Sequence, residues 1–144
     1  MRRMKIVTLL TLTQIKTMAN PHIGHLMFTH GEIASRWSGM SAKRHYEKYG
    51  CCVIHGHTHR LGTFYHTNIS NTFAAFENGC LSTLTPDYIT APDWQNGFSV
   101  LHHSNNYFHV DQIAIVRGQY CYGGKIYGKM KTVTSNIVED LTIN

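Results

Sequence analysis

Cys51-Cys52-Val53-Ile54-His55-Gly56-His57-Thr58-His59-Arg60 is a short apolar run that ends abruptly in a histidine-rich turn. Its small and apolar start reads as a strand buried in a layered sheet, and Gly56 supplies backbone freedom where that strand breaks. Extended backbone sends successive side chains to opposite faces, so His57 and His59 are expected on one side with Thr58 on the other. On a helix the same pair would diverge. Two imidazoles converging at a strand end read as a metal site, because neutral imidazole is the commonest metal ligand at physiological pH. His55 shares the alternation but lies ~6–7 Å further back along the strand, and reads as a packed, hydrogen-bonded histidine within the sheet.

Working outward, His25-Leu26-Met27-Phe28-Thr29-His30-Gly31 repeats the pattern of an apolar strand closed by histidine and glycine. Between the two runs, Ser41 to Gly50 reads as a helix with Ser41 as its cap and Gly50 as its stop. Strand, helix, strand in this order predicts a crossover unit with both histidine turns at neighbouring carboxyl ends of strands, where open α/β sheets place their sites. After Arg60 the chain becomes β-rich, with short runs over Gly62 to Thr67, Thr72 to Phe76, Phe98 to His102, Tyr107 to Val116 and Gln119 to Tyr127, the last broken by Gly123-Gly124. Their spacing predicts antiparallel hairpins, and the loop from Thr85 to Gly97 forms a surface lip. At the start, Ile6 to Leu12 reads as a strand or short helix and Gln14 to His22 as a loop, since Asn20 precedes a proline. The tail from Met130 to Asn144 is polar and expected to fray.

The 144 residues are 42% apolar and 15% charged, which describes one globular domain and excludes a disordered chain. A net charge of +5 and a pI near 9.1 favour a polyanionic partner such as nucleic acid or a phosphorylated substrate. Cys51, Cys52, Cys80 and Cys121 form no C-x-x-C pair, which favours a reduced, cytoplasmic setting. Met1-Arg2-Arg3-Met4-Lys5 has the charge order of a secretion signal, but the apolar core after it is short and diluted with threonine, and no run reaches the ~18 apolar residues of a membrane span. No Asp or Glu precedes Glu32, so the first 31 residues bring no carboxylate to a metal or to acid/base chemistry.

Phe28-Thr29-His30-Gly31, followed some twenty-five residues later by Gly56-His57-Thr58-His59-Arg60, resembles the last two motifs of the calcineurin-like metallophosphoesterase superfamily, a lone histidine and G-H-x-H. Asn78-Gly79 and Trp94-Gln95-Asn96-Gly97-Phe98 are similar to features of its phage and bacterial members. The resemblance covers residues 25–128, leaving 1–24 unassigned and 129–144 as a tail. It implies an α/β fold, the carboxyl-terminal half of a four-layer αββα sandwich. It also implies hydrolysis of phosphomonoesters or phosphodiesters by a water activated between two divalent ions of manganese, iron or zinc, with His30 and His57 on one ion and His59 on the other. The superfamily's D-x-H, G-D-x-x-D and G-N-H-[E/D] motifs are absent, and with them the bridging aspartate and the histidine that ordinarily serves as general acid. The resemblance therefore implies a truncated or split hydrolase, active when an amino-terminal half on a separate chain completes it. The alternative is a non-catalytic binding or regulatory module, or an inactive remnant.

Other residues keep two readings. Arg60 either meets a substrate phosphate through its planar fork or caps a carbonyl. Cys51 and Cys52 read as small hydrophobes at a strand start, the other reading being a cysteine-histidine zinc site with His55, for which the spacing has no precedent. Arg117, Tyr120, Tyr122, Lys125, Tyr127, Lys129 and Lys131 mix basic and aromatic residues as single-strand binders do, and equally as any half-buried antiparallel sheet does. His22, His25, His45, His66, His102, His103 and His109 read as surface or structural.

Overall fold

A computed structural model describes residues 3–7, 22–23, 26–104 and 107–130. The strands are β1 (Arg3–Val7), β2 (His22–Ile23), β3 (Leu26–Thr29), β4 (Cys52–His55), β5 (Gly62–Thr67), β6 (Thr72–Glu77), β7 (Gly97–His103), β8 (Phe108–Ala114), β9 (Gln119–Tyr122) and β10 (Lys125–Gly128), and one helix, α1 (Met40–Tyr49), joins β3 to β4. The fold is mixed α/β and rich in strand.

Five strands form one sheet in the order β2-β3-β4-β6-β5, and three form a second in the order β1-β7-β8. The expected crossover is present: β3 and β4 run parallel, with Leu26 opposite Cys52 and Thr29 opposite His55. β6 then returns parallel to β4 rather than as part of an antiparallel second half, and β5 closes the edge antiparallel to β6. The expected strands over 98–102, 107–116 and 119–127 are β7, β8 and the hairpin β9–β10, all antiparallel.

All four residues of β4 are buried because the strand is covered on both faces. Val53 packs with Ala42 of α1 and Ala75 of β6, while Cys52 and Ile54 point the other way into a core completed by Leu101 and Val110 of the second sheet. This explains why the run 51–54 is apolar without alternation. Each large aliphatic chain so buried contributes about 1.5–3 kcal/mol. The described residues thus make three layers, helix, five-stranded sheet and three-stranded sheet, and the β9–β10 hairpin contacts the outer sheet through Tyr120 against Phe98.

The start of α1 corrects one expectation. Its N-cap is Gly39, with no side-chain cap, and Ser41 lies inside the first turn. The N–H groups of Ser41 and Ala42 donate instead to Glu77 Oε1 at 2.8 and 3.1 Å, so a buried carboxylate from the end of β6 meets the positive end of the helix. Gly50 does stop the helix, at φ 67°, its N–H donating to the Tyr46 carbonyl. The readings made for 8–21 and for the tail beyond Met130 fall outside the described residues.

Candidate metal centre

The parallel pairing of β3 and β4 brings their carboxyl ends side by side, and the Gly56 N–H donates to the His30 carbonyl at 3.2 Å, tying the two histidine turns together. His57 and Thr58 form a turn rather than extended chain, and His59 has φ 58° in the left-handed region. The expectation that His57 and His59 share a face as strand neighbours is therefore corrected: β4 ends at His55, and the turn sends the two rings to different partners.

His57 meets His30. Its Nδ1 lies 3.1 Å from His30 Nε2, with one nitrogen donating to the other, and the rings sit edge to face at 5.1 Å and 78°. Burial, then the neighbouring His57 and His59, hold His30 below the usual imidazole range, so it stays neutral and can donate a lone pair. His59 meets Trp94, ring edge to ring at 4.4 Å, and its backbone carbonyl accepts the Gln95 N–H at 3.0 Å. Its Nδ1 is buried without a hydrogen-bond partner, and burial also lowers its pKa.

Beneath the turns lies a second histidine pair. His45, fully buried on α1, donates from Nδ1 to the Ser41 carbonyl at 2.8 Å and accepts the Glu32 N–H on Nε2 at 3.2 Å, which fixes a neutral tautomer. His55 stacks on it but, contrary to expectation, neither of its ring nitrogens has a hydrogen-bond partner. Burial, reinforced by neighbouring His45, His57, His30 and Arg60, lowers its pKa to about 3. Gly31, at φ 87°, is required here, since a Cβ would fall 3.0 Å from both His45 Nε2 and His55 Nδ1.

Arg60 is buried, and its fork donates to the carbonyls of Arg36 at 2.9 Å and Ser35 at 2.6 Å and to Ser41 Oγ at 3.2 Å. Its Nε lies 3.6 Å from Glu77 Oε2, and Thr58 Oγ1 donates to the same oxygen at 3.3 Å. This is the carbonyl-capping geometry of its two readings. Sequence reasoning did not single out Glu77, the carboxylate on which α1, the turn and Arg60 converge; a lone acid closing a buried apolar strand was the available signal.

The donor set suits part of a metal site. His30 and His57 offer two neutral imidazoles at roughly the spacing of adjacent ligands on one ion, and a cavity of about 290 Å³ lined by His57, Thr58, Asp93 and Trp94 opens beside them. Yet no three His, Cys, Asp or Glu side chains among the described residues are grouped to hold a metal. Glu77 is engaged by the helix N-terminus, and Asp93, largely exposed, lies 3.8 Å from Arg60 Nη1. Two ions would need carboxylates from elsewhere. Among the described residues no helix is long and apolar enough to cross a membrane. Compared with protein-family models, with curated proteins and with solved structures, the chain matches none.

Proposed function

We propose that the chain is a partial metal-dependent phosphoesterase of the calcineurin-like kind, with the carboxyl-terminal half of the four-layer sandwich, completed by carboxylates on a separate amino-terminal chain. The observation that carries the reading is the 3.1 Å approach of His30 Nε2 to His57 Nδ1 at the carboxyl ends of adjacent parallel strands. His59, with a buried Nδ1 lacking a partner, is the ligand for a second ion. Manganese, iron or zinc there would supply Lewis-acid polarisation of a phosphate ester. The chain's own part is to hold neutral imidazoles in place through the Gly56 to His30 backbone bond and to keep the Arg60 fork engaged on its carbonyls at the wall of the neighbouring cavity. The cavity beside His57 and Trp94 is where substrate, nucleic acid included, would sit.

The test is Mn²⁺ titration of the chain and hydrolysis of a chromogenic phosphodiester, alone and mixed with a chain bearing the D-x-H, G-D-x-x-D and G-N-H-[E/D] motifs. We expect weak Mn²⁺ binding that His30→Ala and His57→Ala each abolish, and turnover only in the mixture. Mn²⁺ binding indifferent to both substitutions overturns the reading. A second reading, a non-catalytic binding module, is favoured by the engagement of Glu77 in structural bonds; it predicts ion binding without turnover in any mixture.

A further inference from the structure

A separate cluster lies on the outer face of the three-stranded sheet. His102 of β7 stands directly opposite His109 of β8, and Asp111 is two residues beyond His109 on the same face. His102 Nε2 lies 3.0 Å from Asp111 Oδ2, and His109 Nε2 lies 2.8 Å from Asp111 Oδ1, so a single carboxylate sits between two imidazoles. Tyr122 of β9 brings its hydroxyl to 3.3 Å from His102 Nε2 and stacks its ring over the imidazole at 21°. The three side chains are 38–56% exposed, so both solvent and solute ions reach them.

Backbone register does the assembling. Directly opposed strand residues hold their Cβ atoms about 4.5–5.5 Å apart, and the diagonal neighbour is also within reach. Two imidazoles and a carboxylate on one patch of sheet are a donor set that borderline divalent ions accept. With metal–ligand bonds of about 2.0–2.2 Å, neighbouring donors sit roughly 3 Å apart, the spacing already present between each imidazole and the carboxylate. The donors do not yet surround a common point, since the carboxylate lies between the rings. Gathering them takes side-chain rotation at an exposed surface and the Nδ1–H tautomer of each ring, so that Nε2 carries the free lone pair, with no movement of the sheet.

We propose that His102, His109 and Asp111 form a surface site for a borderline divalent cation of the zinc class, which clips β7 to β8. The site is independent of the His30–His57 centre and of the function assigned to it.

Zn²⁺ itself is the probe, titrated by calorimetry into the full chain carrying His57→Ala and His59→Ala, so that the other centre contributes nothing. The expected result is one saturable Zn²⁺ that His109→Gln or Asp111→Asn weakens by more than the roughly 10–100-fold typical of outer-shell partners. Zn²⁺ should also raise the melting midpoint of the parent and leave that of the His109→Gln variant unmoved. No saturable Zn²⁺, or binding undiminished by both substitutions, overturns the site. If circular dichroism shows that the double-alanine parent fails to fold, the decision moves to the unsubstituted chain: loss of one Zn²⁺ equivalent on His109→Gln upholds the site, and unchanged stoichiometry and affinity overturn it.

Discussion

The rings of His45 and His55 stack at 4.1 Å and 29°, one with both nitrogens hydrogen-bonded and the other with neither. The pair forms a neutral floor beneath the histidine turns. A proton on His55 would be buried, unbonded and close to His45, His57, His30 and Arg60.

That arrangement sets an acid limit on stability. His55 titrates at about 3 in the fold against an ordinary 6.5, so between these values the unfolded chain binds more protons. Stability is then fully present above pH ~6.5 and is lost as pH falls toward ~3, at up to about 1.4 kcal/mol per pH unit. His30, His45 and His59 are shifted the same way and add to the slope. Urea midpoints measured from pH 7 to 4 should fall, and His55→Phe should flatten the curve; an unchanged slope in that variant would show that His55 is not the group responsible.

Gly31→Ala should cost stability on two counts. An L-residue at a left-handed φ costs about 1–2 kcal/mol, and the new Cβ meets both imidazoles of the floor at 3.0 Å. The expected loss is about 2–4 kcal/mol, read from the urea midpoint, with weaker Mn²⁺ binding because Gly31 follows His30. Retention of the midpoint would mean that the turn relaxes freely.

Glu77 and Arg60 should behave as one unit. Removing either partner of a buried pair costs about 3–5 kcal/mol, and Glu77 also serves the first turn of α1. Glu77→Gln and Arg60→Met should each lower the midpoint strongly, and the double variant should lose less than their sum. Additive losses would assign Arg60's contribution to the Ser35 and Arg36 carbonyls and the Ser41 hydroxyl.

Trp94 reports on His59. An imidazolium quenches a nearby indole, and the edge of His59 lies against the Trp94 ring. In a Trp37→Phe background, emission should drop on acidification with a midpoint below 6.5, as burial of His59 dictates. His59→Gln should abolish the step; a step surviving that change would point to another quencher.

Much of the architecture was legible because hydrophobic patterning is local. The run 51–54, the helix ending at Gly50 and the return to β4 follow from apolar runs and glycine punctuation alone, and together they place both histidine turns at one end of a sheet. The site's detail was less legible because it depends on distant residues. His59 meets Trp94 and Gln95, in a loop more than thirty positions on. Glu77 replaces Ser41 as partner of the helix start across 36 positions. The His102–Asp111–His109 group was visible as a histidine and an aspartate at strand spacing, yet only the β7–β8 register shows that His102 stands opposite.

The pairing of β1 with β7 joins Arg3 to His103, residues a hundred positions apart. Closing so long a loop costs on the order of 4 kcal/mol in chain entropy, so this strand pair should form late, after the parallel sheet and the β7–β8 hairpin have folded. During synthesis β1 emerges well before its partner, and β7 emerges with one edge open. Until that edge is filled β7 is open to pairing with another chain. The rate at which β1 docks would then govern how much newly made protein reaches its native form.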